Sequence, residues 1–173
     1  MSETLYFAYG SNINLQQMAV RCPDAKVVEP AVLENYELLF RGNAHGYGVA
    51  TIRFKEGSQV HGLLWRLTPE CEQNLDTYEA YPQLYDKQQV PLCTKSGKQV
   101  WAMAYVMTHE WKRIPTTPVP SYYTGILEGF QQNGLPEQAL EDSLSNLFQE
   151  LRDMIRPKAK TRHKGKEKNH HER

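Results

Sequence analysis

The sequence predicts an α+β fold. About six strand-like segments are spread along 173 residues, helices fall between and after them, and no regular β-α-β alternation connects the two kinds. That spacing does not suit a doubly wound parallel sheet. A long amphipathic stripe near the end supplies a helix to cover the sheet from outside.

Thr4 to Tyr9 is β-branched and aromatic and reads as a buried strand. Gly10 breaks it, and Ser11 or Asn12 can cap a helix from Ile13 to about Arg21, with Leu15, Met18 and Cys22 on one face. Ala31 to Phe40 is the next strand, and Arg41 to Gly48, with three glycines and His45, is a loop. Val49–Lys55 and Gln59–Leu67 read as two strands around a Glu56-Gly57-Ser58 hairpin turn. Thr68-Pro69-Glu70 opens a helix: threonine caps, proline suits the first turn, and glutamate suits the dipole. Cys71, Leu75 and Tyr78 give that helix its buried face, and Pro82 ends it.

Tyr85–Thr94 and Gln99–Thr108 form a strand pair joined by Lys95 to Lys98. Pro115 to Pro120 is an ordered loop, since compact elements flank it. Ser121 to Gln132 is a helix capped by Ser121. From near Pro136, Leu140, Leu144, Leu147, Leu151 and Met154 make one apolar stripe, expected to pack on the outside of the sheet structure.

The length suits one domain, assigned to residues 1–155, followed by a basic tail at 156–173 that is expected to be disordered. The 20 Lys+Arg and 20 Asp+Glu balance only in total. From Arg156 onward eight Lys/Arg face two Glu, a net +6, which leaves the remainder with twelve basic and eighteen acidic residues, a net −6. An acidic domain offers no specific face to nucleic acid. Cys22, Cys71 and Cys93 are too few and too scattered for a disulfide framework. The first residues lack a signal-peptide pattern and no apolar run reaches membrane-spanning length, so a soluble cytoplasmic protein is expected, as monomer or homodimer.

Tyr6-Phe7-Ala8-Tyr9-Gly10-Ser11-Asn12 resembles the N-terminal signature of the γ-glutamylcyclotransferase superfamily. The likeness continues through Gly48-Val49-Ala50-Thr51-Ile52 and Val60-His61-Gly62-Leu63-Leu64-Trp65. It runs on through Leu75-Asp76-Thr77-Tyr78-Glu79 to Pro118-Val119-Pro120-Ser121-Tyr122, Gly129 and Asn133-Gly134-Leu135-Pro136. Several ordered motifs over residues 4–140 are more specific than one. The resemblance implies a small mixed β-barrel of about six strands flanked by helices. It also implies an activity: intramolecular attack of a γ-glutamyl α-amine on its own γ-carbonyl, releasing 5-oxoproline and an amine or amino acid.

That chemistry needs a curled substrate, a proton acceptor for the ammonium, a cradle for an oxyanion, and a donor for the leaving amine. Tethering supplies much of the rate, with effective molarities that reach about 10⁵ M or more. One carboxylate can serve both proton steps, and no cofactor or metal is called for. The resemblance assigns this role to Glu79, at a helix end where the dipole and burial disfavour its charged form. The plain alternative is a solvated helix glutamate like Glu70 or Glu72. Tyr6, Phe7, Ala8, Tyr9, Gly10, Ser11 and Asn12 are expected to line the substrate site, with Tyr122 and, more weakly, Tyr85. Backbone N–H groups of the Tyr9-Gly10-Ser11 turn suit a carboxylate or oxyanion. Tyr123 competes with Tyr122 by one residue, and the spacing to Gly129 favours Tyr122. Ala80-Tyr81-Pro82 follows Glu79 where relatives often have glycine, so the adjoining pocket is expected to differ.

His45, His61, His109 and His163 have no metal-ligand spacing, and no cysteine has a glycine-rich surround suggesting a nucleophile. Two other readings compete with the enzyme: a γ-glutamyl-ligand-binding or regulatory module on the same fold, and a domain tethered to polyanions by its basic tail.

Overall fold

The computed structural model describes residues 2–156. Apart from Arg156, the expected basic tail lies outside the described residues. Five strands close into a barrel in the order β1-β3-β2-β4-β5. They are β1 (Thr4–Ala8), β2 (Lys26–Gly42), β3 (Gly48–Leu67), β4 (Tyr85–Thr94) and β5 (Gln99–Met107). All neighbours run antiparallel except β1 and β5, which pair in parallel at Tyr6 and Met103. Four helices surround it: α1 (Leu15–Arg21), α2 (Pro69–Tyr78), α3 (Pro120–Gln132) and α4 (Glu137–Ile155).

The count is five strands rather than about six because the expected hairpin at Glu56 to Ser58 does not form. Val49–Lys55 and Gln59–Leu67 belong to one strand, and both halves pair with β2. The register passes from Glu34 opposite Gln59 to Tyr36 opposite Phe54, so the extra residues bulge outward around Gly57 at φ +80°. Asn35, itself at φ +61°, closes the bulge by accepting the Gly57 N–H at 3.0 Å. Asparagine and glycine tolerate these left-handed angles, which is why a turn-like composition sits inside a continuous ladder.

Two caps also differ from expectation. Ser11–Ile13 forms a single 3₁₀ turn, and Asn14 caps α1 by accepting from Gln17 N at 3.1 Å. Helix α3 begins at Pro120 with Val119 in the cap position, so Ser121 lies within its first turn and caps nothing. Thr68 does cap α2, accepting from Cys71 N at 3.2 Å.

The barrel interior and the inner faces of the helices form one apolar core, including Phe7, Ile13, Leu33, Phe40, Ile52, Leu64, Leu75 and Phe130. Helix α4 lies against β2 and α3, with Leu140 and Leu147 buried and Leu144 and Leu151 partly so. Met154, at the end of the predicted stripe, is 63 % exposed. Arg41 is fully buried beneath α4, donating to the Phe40 carbonyl and to Glu150, each at 3.0 Å. Among the described residues, no helix is long and apolar enough to cross a membrane.

Candidate active site

Four local devices bring residues from six elements around one cavity of about 260 Å³. First, β1 delivers Tyr6, and the chain leaving it through Tyr9 and Gly10 into the 3₁₀ turn presents Tyr9, Gly10, Ser11 and Asn12 to the cavity. The Gly10 and Ser11 backbone N–H groups find no acceptor among the described residues, as expected of the first donors of a helical turn. A Cβ on Gly10 would lie 3.1 Å from Ala50 Cβ and 3.5 Å from the Tyr122 hydroxyl, so glycine leaves that wall open.

Second, α2 ends in a Schellman motif. Tyr81 N–H donates to the Asp76 carbonyl (2.9 Å) and Ala80 N–H to Thr77 (3.2 Å), with Ala80 left-handed at φ +50°. Glu79 is the residue at the cap, φ −82° and ψ 1°, and its side chain enters the cavity wall. The departure from glycine noted at position 80 therefore falls on the one residue of this cap where glycine is preferred. A left-handed alanine is strained by roughly 1 kcal/mol. Ala80→Gly is expected to raise thermal stability by about that amount, and a calorimetric melt checks it.

Third, β3 and β4 supply Ala50 and Tyr85. The Tyr85 hydroxyl donates to the Ala50 carbonyl at 2.5 Å, and the Ala50 N–H donates to the Tyr122 hydroxyl at 3.0 Å. Fourth, α3 is seated against the 3₁₀ turn. Asn14 Nδ2 donates to the Gly125 carbonyl at 2.9 Å, and a Cβ on Gly129 would come within 2.8 Å of Asn14 N. This close approach carries Tyr122 to the cavity. Tyr123 instead turns toward Phe40, ring centroids 6.4 Å apart.

Of the residues expected from the sequence, Tyr6, Tyr9, Gly10, Ser11, Asn12, Glu79, Tyr85 and Tyr122 line the cavity. Phe7 and Ala8 do not. Both are core residues, and the Phe7 ring fills the space under Gly62. Strand alternation explains Phe7, whose neighbours Tyr6 and Ala8 point to the opposite face. Six further residues that the sequence reading does not assign to the site also line it: Asn43, Val49, Ala50, Tyr78, Leu84 and Tyr105. Tyr105 was findable, since alternation puts Met103, Tyr105 and Met107 on one face. Tyr78, expected on the buried stripe, is 45 % exposed and covers the Arg21 guanidinium at 3.9 Å.

Glu79 is partly buried, because its carboxyl fronts the cavity rather than bulk water. Loss of hydration pushes that carboxyl from its ordinary 4.5 up to about 7, against the opposing pull of Arg21 and the Asn12 hydrogen bond. Burial also pushes the phenols of Tyr6, Tyr9, Tyr85, Tyr105 and Tyr122 upward, and they stay neutral. Burial raises the Cys22 thiol to about 12, which leaves it an unreactive packing group. Among the described residues, no three His, Cys, Asp or Glu are grouped to hold a metal ion.

Residues 6–123 match the family described as gamma-glutamyl cyclotransferase, AIG2-like. The chain belongs to that family. It is 31 % identical over 168 residues to human gamma-glutamylcyclotransferase, covering 88 % of this chain and 87 % of the relative. The bovine gamma-glutamylcyclotransferase is 34 % identical over 140 residues, with 76 % and 72 % covered. A solved gamma-glutamyl cyclotransferase superposes with a TM-score of 0.73 at 28 % identity, covering 92 % of each chain. Membership of the γ-glutamyl cyclotransferase family makes this chain an enzyme of that type, built on the family's mixed barrel.

Proposed function

We propose that the protein converts γ-glutamyl amino acids or amines to 5-oxoproline and the free amine, with Glu79 as acid and base. The observation that carries this reading is one hydrogen bond: Asn12 Nδ2 to Glu79 Oε1, 3.1 Å, joining the carboxyl to the turn whose Gly10 and Ser11 N–H groups find no acceptor among the described residues. The substrate's α-carboxylate or the developing oxyanion suits those N–H groups. Glu79 accepts a proton from the substrate ammonium, and the freed amine closes the five-membered ring on the γ-carbonyl. Glu79 then returns the proton to the departing nitrogen. A carboxyl titrating near 7 is matched to both transfers at neutral pH. The hydroxyls of Tyr85 and Tyr122 are tied to Ala50 and serve as fixed walls against which the glutamyl chain folds.

Free thiols at Cys22, Cys71 and Cys93 support a reducing, cytosolic setting. The test is a panel of γ-glutamyl amino acids and γ-glutamyl amines assayed for 5-oxoproline. Release from at least one is expected, and release from none by a folded sample overturns the proposal. On the substrate that works, kcat/KM is expected to fall about tenfold per pH unit on the acid side of about 7. A pH–rate profile checks it. An acid limb near 4.5 would mean that the base is a carboxyl in an ordinary environment.

A further inference from the structure

Arg21 sits at the end of α1 and takes no place in the cavity wall, yet its guanidinium is bound to the two turn residues that do. Nη1 donates to Asn12 Oδ1 at 2.7 Å and to Ser11 Oγ at 3.1 Å, while Nη2 donates to Gln17 Oε1 at 2.8 Å. Tyr78 covers the guanidinium face at 3.9 Å and reaches Ser11 Oγ with its hydroxyl at 3.2 Å. A planar fork with five donors, stacked on an aromatic ring, is the group that can hold such an arrangement.

The consequence falls on Asn12. Its Oδ1 is committed to Arg21, and its Nδ2 donates to Glu79 Oε1 at 3.1 Å and to the Tyr6 hydroxyl at 3.0 Å. The Asn12 main chain is also pinned, its carbonyl accepting from Trp65 Nε1 at 3.1 Å. An amide has two nearly superposable orientations. Arg21 cannot accept a hydrogen bond, so only the orientation with Nδ2 toward Glu79 is compatible with it. Reversed, the amide would set an oxygen against the carboxylate.

We propose that Arg21 is a positioning residue for the cyclisation, fixing the Asn12 amide so that it donates to Glu79 and keeping that carboxyl able to act as a base at neutral pH. The inference rests on Glu79 being the base. Other groups that face the carboxyl carry no competing charge. Tyr6 from β1, Tyr9 just after it, Tyr85 from β4, Tyr105 from β5 and Tyr122 from α3 are neutral phenols. Tyr78 precedes Glu79 on α2, and Asp76 on the same helix is already paired with Lys87 at 2.9 Å. Arg21 is the cation that lowers the Glu79 carboxyl, acting against burial.

The experiment compares wild type, Arg21→Gln and Arg21→Lys by the pH dependence of kcat/KM and by carboxyl ¹³C titration of Glu79. In Arg21→Gln both are expected to move up by about one pH unit, with activity recovering at high pH. Arg21→Lys restores the charge but not the fork, and its midpoint is expected between the other two. The same loss at every pH, with the Glu79 midpoint unmoved in a folded variant, would reduce Arg21 to a structural residue and overturn the proposal. The unchanged wild-type profile in Arg21→Gln overturns it as well. Failure of the underlying reading looks different: Glu79→Gln would then remain active whatever Arg21 does. Should Arg21→Gln fail to fold, the Arg21→Lys midpoint decides alone, and a value equal to wild type overturns the role of the fork.

Discussion

Glu79→Gln is expected to lower kcat for 5-oxoproline release about 10²–10⁴-fold, the usual worth of a positioned proton shuttle, while leaving the fold intact. Glutamine keeps the side-chain length and can still accept from Asn12 Nδ2, so binding should change far less than turnover. The same variant should be more stable than wild type at alkaline pH. Folded Glu79 titrates near 7 instead of 4.5, so the folded state holds a proton that the unfolded chain has released. The stability this contributes is complete below 4.5 and is lost as pH rises through about 7. Above that range wild type keeps a charge in the cavity and the amide does not, a difference of up to about 3 kcal/mol. Denaturant melts at pH 4 and pH 8.5 should show the two proteins converging at the lower value. A wild-type rate for the variant would remove Glu79 from the mechanism.

The largest loss of stability is expected from Gly62→Ala. Gly62 lies in the middle of β3 opposite Ala31, and an added Cβ would stand 2.3 Å from the Ala8 carbonyl oxygen and 2.4 Å from the Phe7 ring. One of these is main chain, and the other is a fully buried ring, so neither can step aside cheaply. Overpacking of this kind costs about 3 kcal/mol, which for a chain of this size lowers the melting temperature by roughly 6–12 °C. Because β1 runs directly into the Gly10–Asn12 turn, whatever protein survives should also lose cyclisation activity. A melting temperature within a degree or two of wild type would show that β1 is less tightly seated than its contacts indicate.

The sequence exposed those features that depend on neighbours along the chain. β-branched and aromatic runs located β1, β4 and β5, and Thr68-Pro69 located the start of α2 within a residue. The tyrosines, the glycine turn and Glu79 were legible because their order along the chain resembles a known family. What was hidden depends on partners distant in sequence. The bend at Gly57 looked like a hairpin because only the opposing β2 strand turns two segments into one. Asn14 is the cap because the 3₁₀ turn delays the helix, and α3 packed beside that turn has no local signal. In the sequence Arg21 marks only the approximate end of the first helix. Its contact with Asn12 exists only because the chain reverses through the 3₁₀ turn and Asn14.

Glu79 takes its position from hydrogen bonds between main-chain atoms at the close of α2, those donated by Ala80 and Tyr81 included, and not from the side chains of the loop beyond them. The side chains of the loop from Pro82 to Leu84 and of the turn from Asn43 to Tyr47 can therefore change in chemistry while the proposed proton donor stays where it is. If the proposed reaction is the one catalysed, a scaffold of this kind lets selectivity for the departing amine drift by exchange of rim side chains, without rebuilding the cavity floor beneath.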